Sequence, residues 1–372
     1  MKIGVTLPVG VVGTAGQVMP YAAIRELART VEDSGLDSIW IYDHLLFHFP
    51  GKPREGVWEG WTILSGLAEA TRRVELGTMV LCTAFRNPAV LAKMAVTLDE
   101  MSGQRLILGL GAGWHEPEFA MFDLPFDHLA GRFEEAVQII APLVREGKVD
   151  FRGRYTSAIE CEILPAPSRK IPVLIGASKP RMLELTARYA DSWNTGGGGR
   201  VDGLAPKRAA LEAAEAEVGR DPASLEVTVS INVAFPDLGD VPDDAHDPAK
   251  FLSGTVDEIA AGLRGFAEAG VGHVMAWLYP LNEEAIARLA AAAKLARARA
   301  SGVMRRGTVT LGAKAPNVRH SRDTRCCRAP GARRSSHPAA IIADMVWWSR
   351  SAIACSSARS GNARPLCYTP PP

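Results

Sequence analysis

The sequence predicts an α/β fold: a (β/α)8 TIM barrel with insertions over residues 1–300, then a disordered tail over 301–372 that does not belong to it. Three observations lead there. Eight short apolar runs alternate with about eight helix-like segments over roughly 300 residues. The stretch after the first run, "PVGVVGTAG", lacks the glycine spacing that marks a dinucleotide-binding open sheet. Titratable and glycine-rich residues gather just past the ends of the runs, as in "SIWIYDHLLFH" at 38–48.

Buried parallel strands read as near-continuous apolar stretches. Such stretches lie at 2–7, 38–42, 74–81, 105–110, 171–175, 191–194, 226–234 and 273–278. Helical patterns fill the gaps. In "NPAVLAKMAVTLDEMSG", Asn87 can cap the first turn and Pro88 fits the first helical position. Val90, Leu91, Met94, Leu98 and Met101 recur at helical spacing, and Gly103 can stop the helix. "SKPRMLELTARYA" repeats the design, with Ser178 as the candidate cap and Pro180 in the first turn. Further helices are expected at 20–33, 58–70, 128–145, 203–218, 255–269 and 283–298.

The 372 residues are 47% apolar and 22% charged, with a net charge of +1, the composition of an ordinary globular chain. No apolar run reaches the ~18–20 residues that span a bilayer, so no membrane association is expected. Pro8, Gly10 and Gly13 interrupt the apolar N-terminus, and its basic region is one Lys. A first buried strand explains it better than a signal peptide. Charge is uneven: 301–372 carries +10, leaving −9 for the rest, and holds four of the six cysteines. Only Cys82 and Cys161 lie in the body. No disulfide framework is implied, and a reducing cytoplasm fits. The tail lacks sustained periodicity and reads as out-of-frame translation of a GC-rich gene. A disordered nucleic-acid-binding tail is the alternative. No nucleic-acid partner is expected.

The active face of a barrel is the C-terminal end of its strands. The second run delivers Asp43 and His44 there, and an imidazole suits proton transfer at neutral pH. The third delivers Cys82, Thr83 and Arg86; the eighth delivers Tyr279. His44 and His48 stand four apart, but the second position of "HLLFH" is not Glu and Pro50 follows, so no metal site is expected. "LGLGAGW" has alternating glycines at a strand end, too closely spaced for a dinucleotide motif. They suit either close approach of the backbone to a flat ligand or a tight strand end. In "IGASKPRM", small residues lead straight into a helix beside Lys179, an arrangement that attracts phosphate or simply caps the helix. "TGGGGR" at 195–200 reads as a linker, with a flexible phosphate-contacting loop as the alternative.

In order, "GLDSIWIYDHLL", "RVELGTMVLCTAFRNPAVLAKMAVTLDEMSGQRLILGLGAGWHEPEF" and "GRYTSAIECEILPAPSRKIPVLIGASKPRMLELTARYADSWNTG" resemble the bacterial luciferase-like monooxygenase superfamily, in its branch using the deazaflavin coenzyme F420. The resemblance covers about residues 1–300. It implies a barrel binding a flavin-like ring at the C-terminal face. Asp43 and His44 match the family's pair beside the ring, with His44 as acid/base. Met79, Val80, Leu81, Cys82 and Thr83 match the segment under the ring, where a non-proline cis peptide is common. Gly111, Ala112, Gly113 and Trp114 match the loop beside the ring. Gly176, Ala177 and Ser178 match the segment holding the cofactor phosphate. In alcohol-oxidising members of the branch an acid follows the glycine loop. Here Trp114 takes its place, the nearest acids are Glu116 and Glu118, and Glu116 is the remaining catalytic candidate. The resemblance thus implies an F420-dependent oxidoreductase acting on a small organic molecule. Trp58, Trp61 and Trp114 are candidate walls of a dry pocket. An FMN-dependent monooxygenase fed by a partner flavin reductase is the alternative, as is a non-catalytic flavin-binding protein. Dimerisation is common in that family.

Overall fold

The computed structural model describes residues 1–11 and 17–304, the side chains as far as 298. Eight strands close on themselves: β1 (Lys2–Thr6), β2 (Ser38–Ile41), β3 (Glu75–Thr78), β4 (Leu106–Gly111), β5 (Val173–Gly176), β6 (Ser192–Gly196), β7 (Glu226–Ala234) and β8 (His273–Tyr279). Each pairs in parallel with the next, and β8 pairs with β1 through Lys2↔His273 to Val5↔Ala276. The eight expected strands are these eight. Around them lie α1 (Tyr21–Asp33), α2 (Gly60–Ala70), α3 (Pro88–Ser102), α4 (Leu129–Glu146), α5 (Pro180–Tyr189), α6 (Leu204–Val218), α7 (Val256–Glu268) and α8 (Glu283–Met304). The tail expected from 301 lies, past the last turn of α8, outside the described residues. So do 12–16, within the N-terminal stretch weighed against a signal peptide.

Apolar side chains between strands and helices form the main core. The lumen holds a second cluster, Trp40, Leu174 and Met275, with Met79, Val80 and Ile107 against it. Trp40 fits because glycines make room: a Cβ on Gly77 would sit 2.1 Å from its ring, and one on Gly4 would meet Ser38 Oγ at 1.9 Å. Below it, Trp40 Nε1 donates to Ser38 Oγ, which lies 2.7 Å from His273 Nε2. Burial pushes His273 down to about 3, so the ring is neutral.

The third strand departs from the continuous run expected at 74–81. β3 ends at Thr78, the Met79–Val80 peptide is cis, and Leu81–Cys82 forms a separate short strand against Leu110 and Gly111. Thr78 Oγ1 bridges the break: it donates to Gly109 O at 2.8 Å and accepts from Gly109 N at 2.9 Å. A side chain thus replaces the ladder bonds the diverging backbone no longer makes.

In α3, Asn87 Oδ1 accepts from Ala89 N and Val90 N, and Gly103 closes the helix at φ 69°. Its Leu91 and Leu98 are buried, but Val90 (55%) and Met101 (46%) face outward. α2 starts at Gly60 rather than 58, because Glu59 caps it by accepting from Trp61 N and Thr62 N. The N-cap of α5 is Lys179, and exposed Ser178 caps nothing. The expected insertions include a short hairpin of Leu46–Phe47 with Glu55–Gly56, a hairpin of Lys148–Arg152 with Ser157–Glu162, and a strand Phe251–Ser253 against the far end of β7. Of the glycines of "TGGGGR", Gly199 packs against that strand and Gly198 against Ala249 just before it. A Cβ on Gly199 would lie 1.7 Å from Phe251 O, so this is close backbone packing, not a linker.

Candidate active site

Asp43 and His44 leave the end of β2 in opposite directions. Asp43 is buried, its Oδ2 accepting from Cys82 N (3.0 Å) and Arg86 Nη1 (2.7 Å), its Oδ1 from Arg86 Nη2 (3.0 Å). Arg86 also pairs with Glu59, the cap of α2. Burial opposes the charge on Arg86, but its hydrogen bonds with Asp43, and then Glu59, outweigh this and raise its pKa. Burial likewise opposes the Glu59 charge, while Thr62 and Arg86 hold its carboxyl below the usual range. Asp43 is therefore an anchor. It pins the Leu81–Cys82 strand and the following turn to the end of β2.

His44 has a different partner. Its Nδ1 lies 2.8 Å from Glu118 Oε1, and Leu45 N donates to Glu118 Oε2 at 2.8 Å. Glu118 is 1% exposed, and the His44 side chain 14%. A carboxylate can only accept, so Nδ1 is the donor, and in the neutral imidazole the lone pair is on Nε2. Nε2 has no protein partner among the described residues. An imidazole held this way can take up and return a proton at one defined atom.

Aromatic rings set the plane of His44. Phe47 lies 4.4 Å away, Trp114 5.5 Å away edge-on and Tyr42 6.1 Å away, between ring centroids. Behind them His115 Nε2 accepts from His48 N at 3.0 Å, and burial lowers its pKa. The contact of His48 is thus through its backbone. Of the three tryptophans considered as pocket walls, Trp114 stands beside His44. Trp61 is in the core, and Trp58 is 48% exposed with Nε1 donating to Met19 O.

Sequence reasoning named Glu116 as the catalytic candidate, but the acid in contact with His44 is Glu118. Glu116 is exposed in the first turn of the short helix Glu116–Met121, and Glu118 reaches His44. Two residues along a helix turn the side chain by more than half a circle, so only one of the pair can face the barrel. Buried Phe119 beside Glu118 was the available signal. Glu59 was missed too, since its role depends on where Arg86 arrives from another strand.

The glycine loop admits protein. A Cβ on Gly111 would lie 2.5 Å from Val80, and one on Gly113 (φ 84°) would lie 2.6 Å from Cys82 Sγ. Gly176 also faces Val80, at 3.3 Å. Val80 thus stands at the barrel mouth between Gly111 and Gly176, half-buried like Met79. Thr83 Oγ1 donates to Gly111 O, and Cys82 Sγ lies 3.8 Å from Ala112 O. Burial pushes the Cys82 thiol well up, which makes it inert as a nucleophile. Ala177 is tied down by Trp193 Nε1 on its carbonyl and by its own N–H to Asn194 O. Ser178 and Lys179 remain exposed at an α5 start with no side-chain cap. No group of three or more metal-ligating side chains occurs among the described residues.

A closed parallel barrel thus carries a carboxylate-held histidine at its C-terminal face, where barrel enzymes place their active sites. The luciferase-like monooxygenase family model matches residues 1–255, and the chain belongs to that family. It is 33% identical over 235 residues to an F420-dependent glucose-6-phosphate dehydrogenase of Amycolatopsis mediterranei, covering 60% of this chain and 69% of that one. It is 32% identical over 263 residues to the pyrimidine monooxygenase RutA of Methylorubrum extorquens, covering 66% and 69%. The fold matches an F420-dependent secondary alcohol dehydrogenase in complex with an F420–acetone adduct. That match has a TM-score of 0.62 and 20% identity, over 77% of this chain and 98% of that one. Family membership and these relatives make the protein an enzyme of the oxidoreductase and monooxygenase type. No helix among the described residues is long and apolar enough to cross a membrane.

Proposed function

We propose that the protein is an F420-dependent oxidoreductase that moves a hydride between the deazaflavin and a small organic substrate. The observation that carries this reading is the buried Glu118 carboxylate on His44 Nδ1, which leaves Nε2 as a proton acceptor beside the strand ends. When bound, the deazaflavin supplies the hydride chemistry. The residues present suit such a group. Met79 and Val80 offer a half-buried apolar floor between two glycines, and exposed Ser178 and Lys179 at the open start of α5 suit a phosphate.

The chain's own part is proton traffic. If an alcohol is oxidised, His44 Nε2 takes the hydroxyl proton as the C–H hydride leaves; if an activated alkene or imine is reduced, the same nitrogen returns a proton. Asp43, through Arg86 and Cys82 N, holds the floor segment in register with His44. A second reading is an FMN-dependent monooxygenase served by a flavin reductase, supported by the RutA likeness. A third, non-catalytic binding, is disfavoured because a buried carboxylate on a histidine serves no need of flavin binding alone. A small-molecule substrate, a cytoplasmic setting and a homodimer belong to the proposal. Titrating the protein with F420 and with FMN, then following hydride transfer, tests it. His44→Ala should bind F420 as well as the parent and slow the chemical step by about 10²–10⁴-fold. Tighter binding of FMN than of F420, or an unaltered rate in the variant, would overturn the reading.

A further inference from the structure

Beside His44 stands an indole whose donor is unused. Trp114, half-buried at the end of the glycine loop, lies edge-on to the His44 ring, with 5.5 Å between centroids and 78° between planes. His115 packs on it at 5.1 Å. The Trp114 Nε1–H meets no protein acceptor among the described residues. Trp40, Trp58 and Trp193 each donate theirs to a protein oxygen, at 2.7, 2.9 and 2.9 Å. The carboxylates around His44 are meanwhile taken. Glu118 spends its two oxygens on His44 and Leu45, and Asp43 spends its two on Arg86 and Cys82. Glu116 is exposed. Among these groups only His44 Nε2 can receive a hydroxyl proton. An indole donates and cannot accept, so Trp114 suits a carbonyl oxygen rather than a hydroxyl hydrogen.

The surroundings add shape to this chemistry. Phe47 lies 4.4 Å from His44, and Phe49 stacks on Phe47 at 6.0 Å and 14°. Tyr42, 6.1 Å from His44, stacks on Trp277 at 5.5 Å and 24°. Walls of this kind favour flat partners. The ion pairs at this end of the barrel, Asp43–Arg86–Glu59 and Asp244–Lys250, are closed on themselves. We infer that the substrate is a flat, uncharged carbonyl compound conjugated to a C=C bond, its oxygen held by Trp114 Nε1–H. The inference rests on the F420 reading above and, within it, selects reduction over alcohol oxidation. The β-carbon gains a hydride from the reduced deazaflavin, and the C=C π pair moves towards the carbonyl oxygen. Trp114 N–H stabilises the enolate formed there. The α-carbon then takes the proton of His44 Nε2, and the carbonyl re-forms. The alkene gains two electrons and the deazaflavin loses two.

The experiment uses the full chain loaded with oxidised F420, in which an enone binds without being reduced. Benzylideneacetone is compared with ethylideneacetone, which has methyl in place of phenyl, and with the para-carboxylate of the first. The parent should prefer the phenyl enone over the methyl one by at least about 10-fold and over the carboxylate as well. Infrared difference spectra should show the carbonyl stretch of bound benzylideneacetone moved to lower frequency. Trp114→Phe keeps a flat face but loses the donor. It should abolish that shift and weaken benzylideneacetone about 2- to 10-fold, with the phenyl preference kept. Trp114→Leu should lower the phenyl preference too, by about 2- to 10-fold. With reduced F420 the parent should reduce benzylideneacetone, and with oxidised F420 it should leave the matching allylic alcohol unoxidised. The parent's own preference and carbonyl shift need no variant to be read. Equal affinity for the phenyl and methyl enones would overturn the inference and leave the F420 reading intact. So would an unshifted carbonyl in the parent, a shift that survives in Trp114→Phe, or oxidation of the alcohol faster than reduction of the enone. Failure of F420 to bind, with FMN bound, removes the F420 reading and this inference with it.

Discussion

Glu118→Gln is nearly isosteric, yet it should change where the His44 proton sits. Glu118 accepts twice, from Leu45 N–H and from His44 Nδ1–H, each at 2.8 Å. Glutamine has one oxygen and one NH₂, so it can satisfy only one of these donors. The Leu45 N–H is fixed by the backbone, whereas the imidazole proton can move. The glutamine oxygen therefore faces Leu45 and its NH₂ faces Nδ1, which must become the acceptor. The proton goes to Nε2, the wrong atom for a base. Returning the proton to Nδ1, so that Nε2 can act as base, leaves that donor facing the glutamine NH₂ and costs about 1–3 kcal/mol, which corresponds to about 5- to 150-fold in rate. Single-turnover hydride transfer, followed by the cofactor's absorbance, should slow by that factor with cofactor affinity unchanged. ¹⁵N spectra of the imidazole should show the hydrogen moved from Nδ1 to Nε2. A rate within twofold of the parent, or an imidazole still protonated on Nδ1, would refute the assignment of Glu118 as the residue that positions His44.

Other consequences follow from the buried polar groups. His273 has a depressed pKa, so it favours the folded state above about 6.5, and that contribution is lost as pH falls towards about 3. The parent should lose about 2–3 kcal/mol more than His273→Gln between pH 7 and pH 4.5 in urea denaturation; equal losses would show that the ring is not held neutral. Arg86→Met leaves the Asp43 and Glu59 carboxylates without their cation and should cost about 3–5 kcal/mol, read from the denaturation midpoint. Gly109→Ala would bring a methyl group to 1.8 Å from the backbone oxygen of Thr78. It should destabilise by at least about 1–3 kcal/mol, whereas an alanine at Gly265, where a Cβ meets nothing within 4 Å, should not.

The barrel was legible because burial on both faces leaves a strand no need for polar residues, so each strand reads as one apolar run. The third run misled for the same reason. "VELGTMVL" is apolar throughout, and nothing in that pattern marks Thr78, whose hydroxyl takes over ladder bonds from a strand on the far side of a helix. At the site, position was legible and partnership was not. That Asp43 and His44 end β2 follows from the run before them. That Asp43 is spent on Arg86 and Cys82 while His44 turns to Glu118 depends on the ends of β3 and β4. Neighbours in sequence were read as one pair beside the ring, with His44 as acid/base, but alternation sends adjacent side chains to opposite faces. The dipeptide therefore serves two networks, one fixing the floor and one fixing a proton. It is on the second, built from a glutamate 74 residues away, that the proposed proton transfer rests.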